Sequence, residues 1–175
     1  MKRFLTKLFV LLLIITVILT AQIVSGIYII GPQYTQDYNA ALIDKVARLK
    51  SISTPKIILV GNSNVSFGFI SPMIEEILKM PVVNLGLHGG LGNAFHENIA
   101  KMNINSGDLI IVCHSDFNDN DSIIYVKTAW TTLEYHKELW ESMRPKDCRD
   151  IILGWPNYWF NALLRLVRGQ GNKEP

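Results

Sequence analysis

Apolar residues are arranged along this chain in three distinct ways. From Leu8 to Ile30 they are almost continuous, interrupted mainly by Thr16, Thr20, Gln22, Ser25 and Gly26. Such a run spans a hydrocarbon core of ~30 Å as a helix. Further on, short runs rich in β-branched residues appear at Ile57–Val60, Val82–Leu85 and Leu109–Cys113. Runs of this length, two of them closed by Gly61 and Gly86, read as buried parallel strands. Between and around them the apolar positions recur at helical spacing. Tyr38, Leu42, Val46 and Leu49 predict an amphipathic helix within Gln36–Lys50, its charges mostly elsewhere. Ser71-Pro72 is a helix-start signal, Ser as N-cap and Pro in the first turn, ahead of Met73–Lys79. Further helices are expected over about Asn93–Met102, Thr132–Met143 and Trp155–Val167, with Ile151–Leu153 a short apolar run between the last two.

Strand, helix, strand, helix, strand is the order of right-handed βαβ units. The expected fold is therefore α/β: a flavodoxin-like parallel sheet with helices on both faces, preceded by one transmembrane helix. The flavodoxin order places the first strand between the second and third. The organisation reads as residues 1–31 for a basic tip and membrane anchor, 32–55 for a linker helix, and 56–175 for the α/β domain.

Lys2, Arg3 and Lys7 precede the long apolar run and no acid does. The positive-inside rule puts the N-terminus in the cytoplasm and the domain after Ile30 outside, in the extracytoplasmic space. A cleaved signal peptide is the rival, but the run is longer than an ordinary h-region. Thr20-Ala21-Gln22 and Val24-Ser25-Gly26 also match the small-residue cleavage pattern badly, which favours an uncleaved signal anchor. A formal net charge of +2 gives no electrostatic case for nucleic acid. The mean hydropathy of +0.19 is high, and the excess sits at the N-terminal end. Two cysteines, Cys113 and Cys148, would face an oxidising compartment; a disulfide is possible but not demanded by the spacing. No Cys/His spacing suggests a metal, and no cofactor motif is present.

The candidate chemistry clusters in the loops after the three strands. Gly61-Asn62-Ser63-Asn64 puts Ser63 just past the carboxyl end of the first strand, where open parallel sheets bind ligands. Ser63 is a nucleophile only if a base takes its proton and donors hold the oxyanion; otherwise the loop is a polar turn. Gly89-Gly90-Leu91-Gly92 could cradle phosphate at a helix N-terminus, but it lacks the Lys and Ser/Thr of a P-loop and reads as a flexible loop. Glu75 and Glu76 read as a solvated helix face.

These loops resemble the SGNH/GDSL hydrolase superfamily. Gly61-Asn62-Ser63-Asn64 is similar to its first block and Asn84-Leu85-Gly86 to its second. With Phe67-Gly68 and the preceding anchor, the likeness is to the membrane-anchored branch that modifies cell-surface polymers, as in D-alanyl transfer to teichoic acid. The resemblance covers about Lys56 to Phe117. It implies an esterase or acyltransferase acting on cell-envelope glycans or polymers, with a membrane acyltransferase as a possible partner. Ser63 would be the nucleophile, and the Ser63 and Gly86 backbone N–H groups the oxyanion hole. The family's third block, with its Asn, is replaced by Cys113-His114-Ser115-Asp116-Phe117. No histidine has an Asp three residues before it, so the last block, Asp-x-x-His, is absent. His114 or His88 could substitute as base, with Asp116 orienting a histidine. The resemblance also implies a domain continuing past residue 175, so the chain reads as an N-terminal part or a shortened variant. The rival function is a degenerate, non-catalytic relative that keeps the sheet edge for binding or for forming a complex.

Overall fold

The computed structural model describes residues 2–30, 38–114, 125–134 and 136–169. Its first element, α1 (Lys2–Ser25), continues through a π-helical stretch at Gly26–Ile30. None of the α1 residues is buried, and the helix is long and apolar enough to cross a membrane. After it come α2 (Ala41–Ser51), β1 (Ile57–Gly61), α3 (Ser63–Gly68), α4 (Ser71–Leu78) and β2 (Val82–Asn84). The chain continues with α5 (Asn93–Ala100), β3 (Leu109–Cys113), α6 (Val126–Leu133), α7 (Lys137–Trp140), α8 (Pro145–Leu153) and α9 (Trp155–Val167).

The described chain is mostly helical around a small three-stranded sheet, all parallel, in the order β2-β1-β3. The expected central place of the first strand is the observed one. Alternate residues of β1 point to opposite faces. Ile58 and Val60 join Leu42, Val46 and Leu49 of α2 and Phe95 and Ile99 of α5 in the larger core. Ile57 and Leu59 meet Val65 of α3 and Ile74 of α4 on the other face. Helices therefore cover both faces of β1, and all five of its residues are buried.

Several local expectations are corrected. The single helix expected over Thr132–Met143 is two. The Leu133 carbonyl accepts from the His136 backbone N–H at 3.1 Å and from the Trp140 indole N–H at 3.3 Å, so α6 ends there and α7 starts afresh. The Ile151–Leu153 run is the last turn of α8, which opens at Pro145 in its first turn. Ser71 is the first helical residue of α4 rather than its N-cap, a position held by Ile70 without a side-chain cap. Cys113 and Cys148 are both free.

Candidate functional site

The site forms where the loops after β1 and β2 meet. Asn62 is the N-cap of α3: its Oδ1 accepts from the Asn64 backbone N–H at 3.0 Å. Ser63 thus opens a helix directly beyond the carboxyl end of β1, half-exposed. A Cβ on Gly61 would collide with the Cys113 carbonyl oxygen and the Val65 side chain, so only glycine lets β1, β3 and α3 converge here. Gly89, from the loop after β2, lies against Asn62: an added Cβ would sit 3.4 Å from the Asn62 Cβ.

Gly86 is a second close approach. A Cβ there would strike the Ser66 backbone, so this glycine seats α3 against the end of β2. Its N–H, expected in an oxyanion hole, donates to Asn84 Oδ1 at 2.9 Å, and the Asn84 amide in turn donates to the Val65 carbonyl at 2.9 Å. Its carbonyl accepts from Lys45 Nζ at 2.6 Å. Burial lowers the Lys45 pKa to about 8, and the same ammonium approaches Ser66 Oγ at 3.4 Å. The charges of this helix are expected mostly away from its apolar face, and Lys45 departs from that expectation. With Leu42, Val46 and Leu49 it occupies i, i+3, i+4 and i+7, a spacing that could have placed it on the inward face.

The histidines are engaged elsewhere than Ser63. His88 Nδ1 accepts from the Gly90 backbone N–H at 2.9 Å, capping the short turn Gly89–Leu91. His114, just past β3, sets Nε2 3.3 Å from Glu97 Oε1 and stacks on His96 with ring centroids 6.2 Å apart. His96 is 1% exposed, and neither ring nitrogen has a hydrogen-bond partner. Burial first, then the neighbouring His114, lowers its pKa to about 4, while the nearby His88 backbone acts to raise it, so it is neutral at pH 7. Among the described residues no hydrogen bond joins Ser63 to a histidine. Asp116 lies outside the described residues. The structure thus brings Ser63 near the loop of His88 and leaves His114 tied to α5. No group of three or more His, Cys, Asp or Glu that could hold a metal occurs among the described residues.

An aromatic row that sequence reasoning missed runs along this edge. Tyr38 lies 5.6 Å from Phe67 and 6.3 Å from His88, and His88 lies 5.7 Å from Tyr125, all between ring centroids. Phe67 and Tyr125 are largely exposed, at 74% and 56%. The rings come from four separate segments, which no local spacing could reveal. At the other end of the sheet Lys56 and Asp108 form a buried ion pair at 2.8 Å. No family model, no curated protein and no solved structure matches this chain.

Proposed function

We propose that this is a membrane-anchored, SGNH-like α/β protein whose sheet edge binds a cell-envelope glycan without cleaving it. In this reading α1 crosses the membrane with its basic end in the cytoplasm, and the sheet lies outside. The observation that carries the binding reading is the row Phe67, Tyr38, His88 and Tyr125, with Asn62 against the Gly89 that follows His88. Sugar rings lay their apolar C–H faces on such exposed rings, and amides pair with their hydroxyls. The engaged Gly86 N–H and the separate bonds of the two histidines support binding over catalysis. The full chain in detergent should bind purified envelope polysaccharide in a titration, and Phe67→Ala and Tyr125→Ala should each weaken it about tenfold, an aromatic contact of roughly 1.4 kcal/mol. Binding unchanged in both variants would overturn the reading.

A second reading, an esterase or acyltransferase of the same polymers, is favoured by the position of Ser63 beyond β1 at the start of α3. It needs Gly86 to release Asn84 and a histidine to turn toward Ser63. A fluorophosphonate probe separates the two. Weak or absent labelling is expected, because without a general base a factor of ~10²–10⁴ is lost. Strong labelling that disappears in Ser63→Ala would establish the enzyme instead.

A further inference from the structure

We infer that α9 and the end of α8 form a membrane-interface surface that rests in the headgroup layer of the bilayer crossed by α1. This rests on the anchor reading above. The first observation is that α9 is docked on the anchor's exit. Trp159 Nε1 donates to Ser25 Oγ at 2.7 Å, and the Trp155 ring presses on Gly26, where an added Cβ would lie 3.0 Å from it.

The second observation is a shared apolar groove of about 590 Å³. One wall is Leu19 and Ile23 of the anchor; the other is Ile152 and Leu153 of α8 with Trp155 and Pro156 of α9. Leu19 lies six residues before Ser25, about 9 Å along a helix rising ~1.5 Å per residue. A surface joined to the anchor at that depth meets the 5–10 Å layer in which interfacial helices sit. Its indoles, at Trp155 and Trp159, are of the type that favours this layer.

The third observation is the outward face of α9. Pro156, Phe160, Leu163 and Val167 recur at i, i+4, i+7 and i+11, one stripe of the helix. The inward stripe is separate: Tyr158 and Ala162 are buried against the rest of the protein. Leu153, Phe160 and Val167 are 72%, 53% and 75% exposed, a contiguous apolar surface costly to leave in water. Asn157 and Arg168 lie on a third side, suited to the headgroups and water.

The test uses the full chain in phosphatidylcholine vesicles, Cys113 and Cys148 replaced by Ala, with nitroxides at positions 157, 160, 167 and 168 in turn. Collision with a water-soluble nickel chelate should be at least tenfold lower at 160 and 167 than at 157 and 168, with oxygen favoured at the first pair. Equal nickel access at all four, in chains that resist alkaline carbonate extraction, would overturn the interface while leaving the anchor intact. Release by carbonate would overturn the anchor and the interface with it. The unaltered chain provides a control on folding. Its tryptophan fluorescence should be quenched more by lipids brominated near the headgroup than by lipids brominated near the chain end. Shielding at 160 and 167 that persists in detergent and tracks protein concentration would assign the surface to a second copy, and so also overturn it.

Discussion

Strands β1 and β3 are neighbours of almost the same composition, and their environments are opposite. Ile57, Ile58, Leu59 and Val60 face Leu109, Ile110, Ile111 and Val112 in parallel register. The β1 residues are at most 1% exposed, whereas Leu109, Ile110 and Val112 are 50%, 39% and 43% exposed. The reason is position. β1 has a strand on each side and helices over both faces, while β3 pairs on one side with β1. Parallel strands of this composition ordinarily lie buried on both faces. Apolar side chains thus hold β1 in place, and something else must contribute more at β3.

The ion pair at the start of both strands is that contribution. Asp108, next to Leu109, accepts from Lys56 Nζ at 2.8 Å and from the backbone N–H groups of Lys56 and Asn105 at 3.0 and 2.8 Å. Burial alone would raise the Asp108 pKa; the Lys56 ammonium and these N–H donors outweigh it and hold the carboxyl below its ordinary value. The largest effect expected is therefore from Asp108→Ala, which strands a buried ammonium and should cost about 3–5 kcal/mol in urea unfolding at pH 7. The apolar pair Lys56→Met with Asp108→Leu should recover most of that loss. Failure of the single variant to destabilise would mean β3 needs no clasp. Because the folded pKa is depressed, this contribution is present above the unfolded value of 3.8 and is lost as pH falls through the lower folded value.

The sequence made β1, β2 and β3 legible because β-branched runs closed by turn residues need no distant information. Their order followed from the connections between them, and α2, α5 and α9 from helical spacing. The Lys56–Asp108 pair was not legible: its partners are 52 residues apart. The break between α6 and α7 was hidden because Leu133, His136, Leu139 and Trp140 keep helical spacing while the Trp140 indole takes the Leu133 carbonyl. At the site, Ser63 and both close-packed glycines were readable from the strand-end pattern. The hydrogen bond that occupies Gly86 and the aromatic row depend on how separate loops meet, which spacing does not encode.

A further contrast lies between the two histidines beyond these strands' faces. His114 reaches Glu97, whereas His96 is sealed in with its nitrogens unpaired. With the His96 folded pKa near 4 and the unfolded one near 6.5, both states are neutral above pH 6.5. As pH falls toward 4 the unfolded chain takes up a proton that the folded chain refuses. Stability should therefore drop by about 3 kcal/mol across that window. The window lies above that of Asp108, so the two are separable. The groups facing His96 are His114, His88 and, through His114, Glu97. In His96→Phe the drop between pH 6.5 and 4 should flatten; an unchanged slope would mean that His96 is not its source.

The smallest effect isolates position from composition. Val60 and Val112 are the same residue, directly paired in register, one fully buried and the other 43% exposed. Val60→Ala removes two methyl-sized groups from a core packed by α2 and α5, at ~0.8 kcal/mol each plus a cavity, about 2–3 kcal/mol together. Val112→Ala removes the same atoms where much of their surface already meets solvent, and little cavity is left behind. It should cost under about 1 kcal/mol. Urea unfolding of both variants in the same detergent gives the difference directly, with the strand chemistry cancelled. Equal losses would mean that β3 is covered in solution by something that reaches both of its faces, and the asymmetry between the two strands would disappear.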